Sequence, residues 1–196
     1  MTVRGPGQHP TDAAPALYRG WVASRSVLGS LFDLLRPSRR RASEVDVSPG
    51  RFGSSRTVGV RPPGPDGLRI TYAPRTDGDP DAGEVVWTWV PYEENDGRGK
   101  DRPVLVIGRA DADRVYAVRL TSKSHDGDRD YLSIGSGPWD SKGRPSWVDI
   151  EQVYLVHADG MRREASALDL DTFVRVAAAL QRRYGWEAGG ERSADA

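Results

Sequence analysis

The stretch Glu84-Val-Val-Trp-Thr-Trp-Val90 decides how this chain folds. Its residues alternate, with Val85, Trp87 and Trp89 on one face, which predicts a half-buried β-strand. Downstream, Pro103-Val-Leu-Val-Ile-Gly108 is a continuous apolar run, short enough for a buried strand. Asp111-Ala-Asp113 predicts a turn, Val115–Leu120 (VYAVRL) a third strand and Tyr131–Ile134 a fourth. Gly135–Arg144 (GSGPWDSKGR) reads as a long loop, and Trp147–Val156 (WVDIEQVYLV) supplies one or two more strands. Short strands at this spacing predict a mainly β domain, a small barrel or sandwich. A helix closes it. Leu170, Phe173, Val174, Ala177, Leu180 and Tyr184 form one apolar stripe. Asp169 is placed to cap the first turn, Arg182 and Arg183 suit the last, and Gly185 ends the helix.

Upstream of residue 83 the composition changes. Ten of the 14 prolines lie in residues 1–82, and five of the six tryptophans lie after them. A self-contained domain over 83–187 is therefore expected, preceded by a long extension of low order. Ser48–Asp81, rich in Gly, Pro, Ser, Arg and Asp, has too little apolar surface to offset chain entropy and reads as a weakly structured arm. Within it, Val58–Val60 and Leu68–Tyr72 are apolar islands that would pair as a hairpin around Pro62-Pro63-Gly64. Further upstream, Ser26–Leu35 (SVLGSLFDLL) is a short amphipathic helix with Arg36 and Arg39–Arg41 at its C-terminal end. The last residues, EAGGERSADA, read as a disordered tail.

Charge and composition narrow the function classes. Lys and Arg total 28 and Asp and Glu total 28, so any polyanion site must be a local patch. With no cysteine in the chain, thiol catalysis, disulfides and Cys-zinc sites are excluded, which fits a reducing cytoplasm. No apolar run reaches the roughly 18–20 residues of a membrane span.

Four pieces stand in order: Gly83-Glu-Val-Val-Trp87, Asp101-Arg-Pro-Val-Leu-Val-Ile107, Val118-Arg-Leu-Thr-Ser122 and Val148-Asp-Ile-Glu-Gln-Val153, followed by the helix. In this order and spacing the chain resembles the MazF/PemK (also Kid) toxin family. The resemblance implies an SH3-like barrel with a C-terminal helix, usually a homodimer. It implies the toxin of a type II toxin–antitoxin pair, an endoribonuclease that cuts single-stranded RNA at short sequences without a cofactor and is inhibited by a cognate antitoxin. The CcdB-like gyrase poisons share the fold, so a non-catalytic barrel that binds nucleic acid or protein is the alternative.

Metal-free RNA cleavage needs a base for the ribose 2′-OH, a stabiliser for charge on the attacked phosphorus, and an acid for the departing 5′ oxygen. An arginine suits the middle task, because its planar fork holds two phosphate oxygens and stays charged. Arg102, just before the buried strand, matches the family's main catalytic arginine. Thr121 matches a threonine linked to cleavage; Ser122 and Lys123 follow it at a strand end. Glu151-Gln152 matches an acid–Gln pair, with Glu151 a candidate base and Gln152 a substrate contact. Some family members carry Arg two residues before the acid, where this chain has Asp149, which breaks that version of the acid–base pair. Arg98 and Lys100, in the first loop with Gly97 and Gly99, are candidates for phosphate, and Trp139 for stacking on a base. His9, His125 and His157 have no metal-ligand spacing; His125, nearest the proposed site, reads as a loop residue. No metal site is expected.

Overall fold

The computed structural model describes residues 48–75, 78–94 and 96–189; the helix expected over Ser26–Leu35 and residues 190–196 lie outside them. Its strands are β1 (Val58–Val60), β2 (Arg69–Thr71), β3 (Glu84–Pro91), β4 (Gly99–Arg109), β5 (Arg114–Thr121), β6 (Tyr131–Gly135), β7 (Ser146–His157), β8 (Met161–Ala167) and β9 (Glu187–Gly189); helix α1 (Leu170–Tyr184) precedes the last. Seven strands form one antiparallel sheet in the order β1-β7-β5-β4-β3-β8, with β6 also on β7. The described residues are mainly β with one α-helix, as expected.

β4 explains the arrangement. Val104 and Val106 enter one apolar cluster with Val86, Val115 and Val156, while Leu105 and Ile107 enter a larger one with Val118, Leu120, Val148, Phe173 and Leu180. Both faces of the strand are covered, so its sequence is continuously apolar. Each such side chain contributes roughly 1.5–3 kcal/mol when fully buried. On β3 the alternation differs from expectation. Val86, Thr88 and Val90 are the buried set; Val85 is buried too, but Trp87 and Trp89 are only half-buried. The larger cluster covers Val85 and stops short of the tryptophans.

α1 is capped as expected. The Asp169 carboxylate accepts from the Thr172 N–H, and Gly185, left-handed at φ 77°, donates its N–H to the Gln181 carbonyl. Its buried face is Phe173, Val176, Ala177 and Leu180, whereas Leu170 and Val174 of the predicted stripe are exposed. Residues i, i+3, i+4 and i+7 from Phe173 make the stripe, so it is rotated past Val174.

The segment 48–75 is not a loose arm. β1 pairs with β7, and β2 runs parallel to β9, so the Val58–Val60/Leu68–Tyr72 hairpin does not form. Leu68 and Ile70 are buried in the larger cluster. Pro62 and Pro63 offer no N–H to a ladder; instead the Pro63 carbonyl accepts the indole N–H of the fully buried Trp186. Residues 187–189, expected in the tail, are the strand that covers β2. Upstream, the Thr88 hydroxyl bonds Thr57 Oγ1 at 2.7 Å and the Gly160 carbonyl at 2.6 Å. Gly50 meets this knot at φ 82°, where an added Cβ would lie 2.3 Å from Thr88 Oγ1.

β7 is one strand with a wide bulge. Val153 pairs with Val118 and Val148 with Leu120, so residues 149–152 bow out opposite Arg119. The Asp149 carboxylate holds the bow by accepting the N–H groups of Glu151 at 2.9 Å and Gln152 at 3.3 Å.

Candidate active site

β4 and β5 are antiparallel, and Val104 pairs with Arg119. Continuing that register by two residues sets Arg102 across from Thr121. The start of one strand and the end of the next thus bring together two residues far apart in sequence. A cleft of about 490 Å³ opens there, lined among others by Lys100, Arg102, Thr121, Ser122, Lys123 and His125. Trp139 forms part of the same wall, so six of the candidates read from sequence converge.

Arg102 is half-buried, and its Nε has no hydrogen-bond acceptor among the described residues. Neither does its guanidinium form an ion pair among them; the neighbouring Asp101 is held by Arg162. Thr121 Oγ1 accepts the N–H of Lys123 at 3.2 Å, which orients the hydroxyl and leaves its proton to donate. Ser122 and Lys123 are exposed at the rim. His125 stacks on Tyr131 with ring centroids 3.5 Å apart, and its Nδ1 lies 3.4 Å from Asp128 Oδ2. That leaves Nε2 as its second nitrogen. The arrangement offers a fixed cation, hydroxyl donors and an imidazole around one cavity.

Glu151, Gln152 and Arg98 lie elsewhere. Glu151 is exposed and faces Arg183 at 3.7 Å, because the bulge turns it away from the cleft. Gln152 donates to the carbonyls of Val60 and Val153 and lines a second cavity, as does Arg98, whose guanidinium is held by Asp96 at 2.6 Å. Trp139 reaches the cleft from the larger core, where it is 5% exposed and donates its indole N–H to Ser146 Oγ at 3.1 Å, so it is a wall residue more than a stacking platform.

Sequence reasoning missed the group beside the cleft. Arg119 donates through Nε to Asp149 Oδ2 at 2.7 Å and through Nη2 to Glu93 Oε1 at 3.1 Å and the Tyr131 hydroxyl at 3.2 Å. The side chains of Arg119 and Asp149 are 14% and 3% exposed. Burial alone would lower the Arg119 pKa, but Tyr154, Asp149 and Tyr131 outweigh it and hold the guanidinium above its ordinary range. Burial, helped by Asp149 and Glu93, pushes the Tyr154 phenol up to about 12 against the opposing pull of Arg119. Opposite charges at 119 and 149, on segments read as separate strands, were the available signal. Among the described residues no three His, Asp or Glu side chains gather as a metal site. No helix among them is long and apolar enough to cross a membrane.

A family model, the PemK-like, MazF-like toxin of type II toxin–antitoxin systems, matches residues 81–183. The chain belongs to this family. No curated protein matches it. Among solved structures, a MazE–MazF complex from Deinococcus radiodurans is 19% identical at a TM-score of 0.41, over 55% of this chain and 98% of that one. An endoribonuclease in complex with its cognate antitoxin, from Mycobacterial species, is 18% identical at 0.43, over 55% and 96%. The Mycobacterium tuberculosis toxin MazF-mt6 is 16% identical at 0.39, over 52% and 98%. The family match begins after β1 and β2, which therefore stand outside it.

Proposed function

We propose that this toxin cleaves single-stranded RNA at selected short sequences by attack of the RNA's own 2′-oxygen, with no metal. The unspent Arg102 guanidinium in the cleft carries the reading. Desolvating an arginine without giving it a partner is costly, and a phosphate entering the cleft would supply that partner bidentately. The 2′-oxygen loses its proton and bonds to phosphorus; the bond from phosphorus to the 5′ oxygen breaks, and that oxygen takes up a proton. The products are a 2′,3′-cyclic phosphate and a 5′-hydroxyl. Arg102 holds the non-bridging oxygens, Thr121 and Ser122 donate hydrogen bonds to them, and Lys100 and Lys123 meet flanking phosphates. With Glu151 outside the cleft, the proton-transfer role falls to His125, whose Nδ1 faces Asp128 and whose Nε2 serves the substrate.

The same reading assigns residues 83–187 as the toxin domain, a cognate antitoxin as its inhibitor, a homodimer as its working form and the cytoplasm as its place. The test incubates the full chain with mixed-sequence RNA in excess EDTA and maps the product ends. Cleavage is expected to persist, with 5′-hydroxyl ends, and to be lost in Arg102→Ala; DNA should stay intact. Cleavage that needs added magnesium, or 5′-phosphate ends, overturns the mechanism. No cleavage of any RNA would instead favour a non-catalytic binding barrel.

A further inference from the structure

We infer that the second cavity is an RNA subsite that takes nucleotides flanking the cut, an inference that rests on the ribonuclease reading above. This cavity, about 560 Å³, lies between the loop after β3 and the segment 51–62, which the family match does not reach. Four arginines line it, Arg51, Arg56, Arg61 and Arg98, against one acid, Glu93; Arg98 is held by Asp96, which leaves three. That acid is already bonded to Arg119. The surface therefore carries local positive charge on a chain whose net charge is zero.

Aromatic faces stand among these cations. The Arg51 guanidinium lies 4.4 Å from the Trp89 ring centroid and 4.8 Å from that of Phe52. Its Nε is buried with no acceptor among the described residues. Phe52 is 57% exposed, and few residues of its size are left so open to water in the described structure. Tyr92 lines the same wall. A basic groove with stacking faces is the design by which single-stranded nucleic acid is held without reading its sequence.

Position agrees with chemistry. Trp87 lines the first cavity and Trp89 the second, two residues apart on β3, or roughly 7 Å along the strand. Arg119 of the first cavity bonds Glu93 of the second, so this ion pair is the bar between them. A strand whose scissile phosphate sits at Arg102 can continue over that bar onto Trp89, Phe52 and the arginines. Segment 51–62 thereby extends a family cleft with a surface of its own.

The test compares two substrates, a short oligonucleotide spanning only the cut site and a longer single strand with the same site inside it. Full-length Phe52→Ala and Arg56→Ala/Arg61→Ala are made, since these side chains are exposed and their loss leaves the cores intact. For each variant KM on the longer RNA is expected to rise about tenfold with kcat unchanged, the scale of one lost stacking contact. The short RNA should be cut as by the natural chain. In the double variant the slope of log KM against log salt should become shallower by roughly 1.4, about 0.7 for each lost phosphate contact on a single strand. Equal effects on both RNAs, or none on either, overturn the subsite. So does a double variant that keeps its RNA KM and loses only inhibition by an acidic antitoxin. Fluorescence anisotropy with the longer RNA fully 2′-O-methylated separates the two proposals. Phe52-dependent binding of the methylated RNA, with no cleavage of the same RNA unmodified, would keep the subsite and sink the ribonuclease reading. Cleavage of both RNAs with Phe52-independent binding would do the reverse.

Discussion

Arg102 and Arg119 stand on neighbouring strands and line the same cleft, yet they are in opposite states. Arg119 is spent: a carboxylate, a second carboxylate and a phenol satisfy its guanidinium, and Asp149, its main partner, also ties down the β7 bulge. Arg102 has no such partners among the described residues. One arginine serves the fold and the other is held ready for a ligand. A buried ion pair costs much to desolvate and gives much only when every partner is present, whereas a lone cation in a cleft is stabilised only when an anion arrives.

The contrast is broken most severely at Asp149. Asp149→Ala leaves Arg119 buried without its main counter-charge and frees two backbone N–H groups. Unfolding free energy should fall by about 3–5 kcal/mol in denaturant titrations. Replacing both partners, Arg119→Met with Asp149→Leu, should recover much of that loss. A single variant as stable as the natural chain would show that the pair is not structural.

The mirror-image test lies at Arg102. Arg102→Ala is expected to slow RNA cleavage by about a hundredfold to a thousandfold, the scale of one lost transition-state donor. Its stability should stay within about 1 kcal/mol of the natural chain, because no hydrogen bond or ion pair of its side chain among the described residues is lost. Thr121→Val, which removes one hydrogen bond to a charged group, should cost a smaller factor of roughly ten to a hundred. If Arg102→Ala unfolds the protein while Asp149→Ala does not, the two roles are the reverse of those drawn here.

The smallest effect concerns pH. Tyr154, beside Arg119, has a folded pKa of about 12 against an ordinary 10. Its proton is held more tightly in the folded state, so its contribution is fully present below pH 10 and is lost as pH rises from 10 to 12. Stability should fall over that window by at most about 1.4 kcal/mol per pH unit from this residue. Tyr131 and Tyr184 are also raised by burial and add in the same direction. Tyr154→Phe should therefore flatten the fall without abolishing it; an unchanged profile would remove Tyr154 from the cluster's electrostatics.

The β-rich order of elements and the capped helix were legible because they rest on local signals. Alternation, apolar runs, Asp169 before the helix and Gly185 after it act over a few residues. Two antiparallel strands joined by the Asp111–Asp113 turn necessarily set the start of one against the end of the other. The segment 48–75 misled for the opposite reason. Leu68, Ile70 and Val58–Val60 look too sparse to fold by themselves, and they do not; their partners are Trp186, β9 and β7, more than ninety residues downstream.

The amino-acid sequence by itself determined which residues could be strands, where the helix begins and ends, and that Arg102 precedes one strand while Thr121 ends the next. Only the tertiary structure decided which charges are spent. Whether Glu151 reaches a cleft depends on the direction of a bulge, and whether Trp139 is a platform or a core residue depends on what covers it. Whether an arginine is free depends on two carboxylates and a phenol from three separate segments. Such outcomes turn on distances of a few ångströms between parts of the chain that carry no mark of one another in sequence.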